Sequence, residues 1–260
     1  MKFRPCIDIH NGKIKQIVGS SLRDSKNEAS DNYVSEHDGA YYSNMYYDMG
    51  LSGGHVIILN PEASSFYEES RHQAMLALSA HKNTLQVGGG INPDNAEAFL
   101  CVGASHVIVT SYVFNNGKID KDRLRIMKET VGKEHLVLDL SCKKKGDYYY
   151  IVTDRWQNMT DTMLSLEILE ELSESCDEFL VHAADVEGKQ SGIEEEVAAL
   201  LGRFDKKTVT YAGGVHSLLD IEKLKILGQS KVDVTVGSAL DIFGGTLSIK
   251  DICNICSEIH

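Results

Sequence analysis

The sequence predicts an α/β fold in which eight parallel strands, each followed by a helix, close into a (βα)8 barrel of the TIM type. Three observations carry this expectation. Strand-like and helix-like patterns alternate along all 260 residues, as in parallel sheets joined by helical crossovers. The strand-like runs are short and β-branched, and several, such as His106-Val107-Ile108-Val109, are apolar at consecutive positions. That pattern belongs to strands covered on both faces. The second half of the chain also repeats the first. Gln86-Val87-Gly88-Gly89-Gly90-Ile91 followed by Val107-Ile108-Val109-Thr110-Ser111 returns as Tyr211-Ala212-Gly213-Gly214-Val215 followed by Val234-Thr235-Val236-Gly237-Ser238. An open doubly wound sheet would also alternate, but two equal four-strand halves favour closure. A single domain over 1–260 is expected, with halves of about 1–131 and 132–260, at a length usual for such a barrel.

In chain order, the expected strands are 3–8, 55–59, 84–88, 106–110, 135–140, 178–183, 207–212 and 232–237. Amphipathic stretches lie between them. In 161–172, apolar residues at 164, 168, 169 and 172 form one stripe, and 122–128 and 218–224 follow the same helical period. Two insertions, Lys13 to Val18 and Tyr148 to Val152, read as extra short strands, each just after an aspartate that ends a strand. Gly19 to Asp38 is polar and serine-rich (Ser20, Ser21, Ser25, Ser30, Ser35) with no apolar period. A loop of this length is either a lid or a solvated excursion.

The bulk composition excludes several classes. A formal charge of −12 argues against sequence-independent nucleic-acid binding, which needs a basic footprint. No apolar signal core opens the chain and no run approaches a membrane span, so a cytoplasmic protein is expected. Six cysteines in 260 residues do not make a disulfide framework. Cys253 and Cys256 have C-x-x-C spacing without a second pair or a histidine cluster, and read as packing on one helix face. Neither metal nor cofactor is expected, and a monomer is.

The candidate site follows from the repeat. Asp8 and Asp139 close the first and fifth strands, which face each other across an eight-stranded cylinder, at the strand C-termini where such barrels do their chemistry. One carboxylate could act as base and the other, protonated, as acid. Either aspartate alone could be a helix cap or an Asx turn; the matched pair favours chemistry. Gly88, Gly89 and Gly90 end the third strand, with Asn92 as a helix cap and Pro93 in the first helical position. Their backbone would cradle an anion, completed by Thr110 and Ser111. Gly213 and Gly214, with Gly237 and Ser238, repeat this after the last two strands, so the expected partner is a small substrate carrying two phosphates. Arg155 and Trp156, the one tryptophan, could clamp a phosphate or stack on a heteroaromatic ring. His182, Asp185 and Glu187 fall near the mouth after the sixth strand. His182 could shuttle protons or be structural. Cys142 shows no base partner, and His10 reads equally as packing.

Together these segments resemble the histidine-biosynthesis barrel family, and within it the phosphoribosylformimino-AICAR-phosphate isomerase branch. The resemblance runs from Cys6-Ile7-Asp8-Ile9-His10-Asn11-Gly12 to Gly237-Ser238-Ala239-Leu240-Asp241-Ile242-Phe243-Gly244-Gly245. The stretches around Gln86 to Ile91, Val137 to Ser141 and His182 to Gly188 are similar to the eukaryotic-type subgroup. The resemblance implies a cofactor-free Amadori rearrangement of a bisphosphorylated ribosyl aminoaldose (ProFAR) to its aminoketose (PRFAR). It implies Asp8 as general base, Asp139 as general acid, the glycine turns as phosphate grips and Trp156 as the stacking ring. The chain departs from the bacterial pattern after the sixth strand, with His182 and Glu187-Gly188-Lys189 where a threonine and an Asp-Gly-Thr turn stand. Two alternatives remain. One is the sister imidazole glycerol phosphate synthase cyclase, whose acidic Gly-Asp-Pro run is replaced here by Ser35 to Ala40. The other is a non-catalytic phosphosugar-binding barrel, in which two acids beside bound phosphates would only repel the ligand.

Overall fold

The computed structural model describes residues 1–17, 31–187 and 191–257. Its first half contains β1 (Cys6–His10), β2 (Lys13–Ile17), β3 (Asp31–Val34), α1 (Gly39–Asp48), β4 (Gly54–Ile58) and α2 (Tyr67–Ala80). Next come β5 (Leu85–Gly88), α3 (Ala96–Val102), β6 (Val107–Val109), the small hairpin β7 (Phe114–Asn115) and β8 (Lys118–Ile119), and α4 (Lys121–Val131). The second half has β9 (Leu136–Asp139), β10 (Cys142–Lys145), β11 (Tyr148–Thr153), β12 (Asn158–Met163), α5 (Leu166–Ser173), β13 (Glu178–His182) and α6 (Glu195–Gly202). It ends with β14 (Thr208–Ala212), α7 (Leu218–Leu227), β15 (Asp233–Val234) and α8 (Ile249–Ser257).

The eight strands β1, β4, β5, β6, β9, β13, β14 and β15 pair in that order, all parallel, as a curled sheet. Its two ends meet: the Arg4 N–H donates to Val234 O at 2.8 Å and the Val234 N–H to Lys2 O at 2.9 Å. Beneath that seam lies a buried ionic knot. The Arg4 guanidinium contacts Asp233 at 2.7 Å and Glu178 at 3.1 Å, and Gln86 Nε2 donates to Glu178 at 2.6 Å. Four elements far apart in sequence are thereby tied at the N-terminal end of the strands. Among the described residues no helix is long and apolar enough to cross a membrane.

The core has two parts. The larger lies between the sheet and its helices, where buried Leu78, Phe99, Met127, Leu169, Leu201 and Leu224 cover the outward faces of the strands. The smaller lies inside the curl, made of Ile108, Val137, Leu180 and Ala212 with Ile57 against them. Those five come one from each of β6, β9, β13, β14 and β4. Strand side chains alternate faces with period two, so the residues two positions on point into the same interior. Within β9 and β13 those are Asp139 and His182, which therefore stand above this apolar floor.

Several boundaries differ from the sequence reading. β1 does not stop at Asp8 but runs to His10 and turns through Asn11 and Gly12, both at positive φ, into antiparallel β2. The first insertion is thus a continuation of the strand beyond the aspartate. The second belongs to a three-stranded antiparallel sheet, β10–β11–β12, two of whose strands the sequence did not suggest. The helix expected over 161–172 begins only at Leu166: residues 158–163 pair with β11, and the Ser165 side chain caps the helix by accepting the Ile168 N–H. Local hydrogen bonding also displaces the helix expected at Asn92 and Pro93. Asn92 Oδ1 accepts the Asp94 N–H at 2.8 Å and Asn95 Oδ1 the Asn92 N–H at 3.0 Å, and α3 starts three residues later. Of the 19–38 loop, residues 19–30 lie outside the described residues, while 31–34 form β3 against β2. Cys253 and Cys256 sit on α8 against the core.

Candidate active site

One cavity of about 570 Å³ opens at the C-terminal ends of the parallel strands, a volume suited to a small organic ligand. Asp8 and Asp139 both line it, with Gly88, Gly89, Gly90, Thr110, Ser111, Arg155, Trp156 and His182. A smaller recess of about 50 Å³ adjoins it, lined by Gly213, Gly214, Gly237 and Ser238. Asp8, His182 and Glu187 line both. The two glycine clusters therefore flank the acids; Cys142 and His10 line neither cavity, and nor does Asp185. Its carboxylate accepts the Lys144 N–H at 2.7 Å and holds β10 against the turn that follows β13.

The glycine turns need glycine for different reasons. At Gly89, φ is +101° and a side chain would collide with the Ile58 carbonyl on the neighbouring strand. At Gly214, φ is +76° and the obstacle is the Gly192 carbonyl. In both places backbone crosses backbone closely. The Ser111 hydroxyl is already engaged, accepting the Asp154 N–H at 3.0 Å. That bond anchors the turn between β11 and β12. There Asp154, Arg155 and Trp156 all take positive φ, at 52°, 53° and 64°, an expensive run for non-glycine residues. The turn brings the Trp156 ring to 5.8 Å from the His182 ring, while Lys143 Nζ donates to the Trp156 carbonyl at 2.9 Å.

The two aspartates occupy different electrostatic settings. Burial, reinforced by the nearby Glu187 carboxylate, pushes the Asp8 carboxyl up to about 7, against opposing help from His182 and Gln16. Gln16 Nε2 donates to Asp8 Oδ2 at 3.3 Å. Burial would also raise Asp139, but it is outweighed by His182 and Ser141, which hold this carboxyl below the usual carboxylate range. The Ser141 N–H and Oγ both donate to Asp139 Oδ1, at 2.8 and 2.7 Å, an Asx turn folded into the site. His182 Nδ1 stands 3.6 Å from the same oxygen. Burial lowers the basicity of His182, yet Asp139, with Glu187 and Asp8, more than restores it and leaves the imidazole above its ordinary value. His55, its ring 6.2 Å from His182, goes the other way, down to about 3, through burial and the neighbouring imidazolium. Glu187 is raised by burial.

This arrangement can hold an anion at each end of a cavity and move protons between its flanks. Asp8, raised to about 7, suits proton abstraction near neutrality. Asp139, ionised and paired, suits the holding of a cation. Gln16, His55 and Ser141 were not singled out in the sequence. Gln16 carries a usable signal, being polar two residues after Ile14 on the inward face of a short strand. His55 is the polar opening residue of an otherwise apolar run, 55–59. Ser141 shows nothing beyond an Asp-x-Ser spacing.

Comparison with known proteins agrees with the geometry. A family described as histidine biosynthesis protein matches residues 2–247. A 1-(5-phosphoribosyl)-5-((5-phosphoribosylamino)methylideneamino)imidazole-4-carboxamide isomerase of Medicago truncatula, named as chloroplastic, is 54% identical over 97% of this chain and 80% of its own length. Proteins of the same isomerase name from Yarrowia lipolytica and Saccharomyces cerevisiae are 45% and 42% identical, over 94% and 97% of this chain and 93% and 97% of their own. With the matched region spanning both aspartates and both glycine clusters, the chain belongs to the histidine biosynthesis protein family.

Proposed function

We propose that this protein is the isomerase its relatives are named for, carrying out an Amadori rearrangement of a bisphosphorylated aminoaldose, ProFAR, to the aminoketose PRFAR. The observation that carries the reading is the meeting of Asp8 and Asp139 in one cavity between two glycine clusters. The eight parallel strands are taken as a closed (βα)8 barrel of one domain, with halves of about 1–131 and 132–260, each contributing one acid and one phosphate grip. Backbone bonds from Lys2 and Arg4 to Val234 support closure. Gly88 to Gly90 with Thr110 and Ser111 would hold one phosphate, and Gly213, Gly214, Gly237 and Ser238 the other. Trp156 would stack on the imidazole ring beside Arg155. We assign Asp185 no contact with substrate, since its carboxylate is committed to Lys144.

The chemistry requires four proton movements. A proton reaches the ribosyl ring oxygen as the C1′–O4′ bond breaks and the amine lone pair forms a C1′=N iminium. Asp8 then removes the C2′ proton, and those electrons form the C1′=C2′ bond of an enaminol. Return of that proton from Asp8 to C1′ and loss of the O2′ proton give the ketone. Each step moves a proton between substrate and side chain, and none calls on a cofactor. We further propose a monomer with no nucleic-acid or membrane partner, acting in the cytoplasm, although one plant relative carries a chloroplast name.

An absorbance assay of the isomerisation with the parent, Asp8→Asn and Asp139→Asn tests the reading. Turnover by the parent without glutaminase or ammonia, lost in both variants while substrate still binds, is the expected result. Turnover that requires ammonia would point to the cyclase instead, and binding without turnover to a phosphosugar receptor.

A further inference from the structure

We propose that the proton for ring opening is delivered by the His182 imidazolium, with Asp139 as its ionic anchor rather than the acid itself. The inference rests on the isomerase reading and names a further catalytic residue within it. His182 ends β13, two positions above the floor residue Leu180, and lines both the cavity and the adjoining recess. Its ring is placed from several sides: Asp139 on β9, Asp8 on β1, Glu187 beyond its own strand, His55 on β4 and the Trp156 ring.

Two geometric facts separate the roles of His182 and Asp139. Asp139 Oδ1 already accepts two hydrogen bonds from Ser141. Two donors on this group bind its carboxylate form more strongly than its acid form, whichever oxygen would carry the proton, and so favour ionisation. His182 Nδ1 is sealed from solvent and makes no hydrogen bond, lying 3.6 Å from Asp139 Oδ1. An ionised partner at that distance compensates a sealed N–H electrostatically and keeps a second proton on the ring. With Nδ1 turned to Asp139, Nε2 is the nitrogen left to serve a ligand. The surrounding charges act in the same direction, raising the basicity of His182 and lowering that of Asp139. In the step, the Nε2–H bond breaks, its proton goes to O4′, and its electrons remain on the now neutral imidazole. The C1′–O4′ pair goes to the oxygen. His182 regains its proton when the enaminol hydroxyl collapses to the ketone.

The test compares parent, His182→Gln and His182→Ala in the isomerase assay across pH, with nitrogen-15 NMR of the histidine rings in parent and Asp139→Asn. His182→Gln should lose at least about 100-fold in kcat, the scale of general acid catalysis, with KM within a few-fold. Its alkaline limb in the kcat profile should vanish. Added imidazole should restore His182→Ala in proportion to imidazolium, fading as the buffer deprotonates. The NMR signals should show His182 doubly protonated at neutral pH in the parent and losing that proton at lower pH in Asp139→Asn. His182→Asn replaces the glutamine variant if the latter fails to fold. An active parent with an indifferent His182→Gln, or a neutral His182 at pH 7, would overturn this inference alone. An inactive parent would sink the isomerase reading and the inference with it.

Discussion

Replacing Asp8 by asparagine should abolish turnover and yet stabilise the fold, and the size of that gain follows from the site. The Asp8 carboxyl lies at about 7 against an ordinary 3.8, chiefly through burial and secondarily through Glu187. The folded chain therefore holds this proton more tightly than the unfolded chain. The stability so conferred is complete below about pH 4 and is lost as pH rises through about 7. At about 1.4 kcal/mol for each tenfold difference in proton affinity, the ionised carboxylate costs the fold roughly 4 kcal/mol above pH 8. Asparagine has no charge to desolvate, and its amide can still pair with Gln16. Urea melts of the parent and Asp8→Asn at pH 5 and pH 8.5 measure the difference. The asparagine variant's advantage should be about 2–3 kcal/mol larger at the higher pH. A difference that does not change with pH would show that Asp8 titrates normally, and the assignment of a raised base would fail with it.

Other outcomes follow from neighbouring residues. With Asp8 as the base, kcat/KM should rise with pH through about 7. Glu187→Gln, by removing a like charge, should move that limb to lower pH; an unmoved limb would clear Glu187 of any influence. Gly89→Ala should destabilise by about 3 kcal/mol or more, because its side chain meets the Ile58 carbonyl at positive φ. Gly90→Ala, at φ +70° with nothing within 4 Å, should cost only about 1–2 kcal/mol; equal losses in thermal melts would contradict this ordering. Arg4→Met strands Asp233 and Glu178 as buried, uncompensated carboxylates and should lower stability by about 3–5 kcal/mol. A melting temperature within a degree or two of the parent's would mean that the ionic knot contributes little.

Much of the site could be read from the chain because strand periodicity and strand order are local properties. Once 136–139 and 178–182 are recognised as strands, alternation places Asp139 and His182 on one face, and the repeated glycine turns mark the end of the sheet where they emerge. The helix starts at Leu166 and Ala96 were less legible. There a hairpin partner, β11, and the bonds from the Asp94 and Asn92 backbone N–H groups to the Asn92 and Asn95 side chains overrode an acceptable helical period.

What the sequence determined by itself is therefore an inventory and its address: two acids, two glycine clusters and a tryptophan at the C-terminal ends of parallel strands. Tertiary structure alone decided how those groups are charged. Asp8 and Asp139 are the same side chain, yet one is raised by burial beside Glu187 while the other is lowered by His182 and Ser141. Only the fold could turn Asp185 away to Lys144 and bring Glu187 in. The reason is that proton affinity depends on desolvation and on charges a few ångströms away, and in this protein most of those charges come from strands tens to hundreds of residues apart.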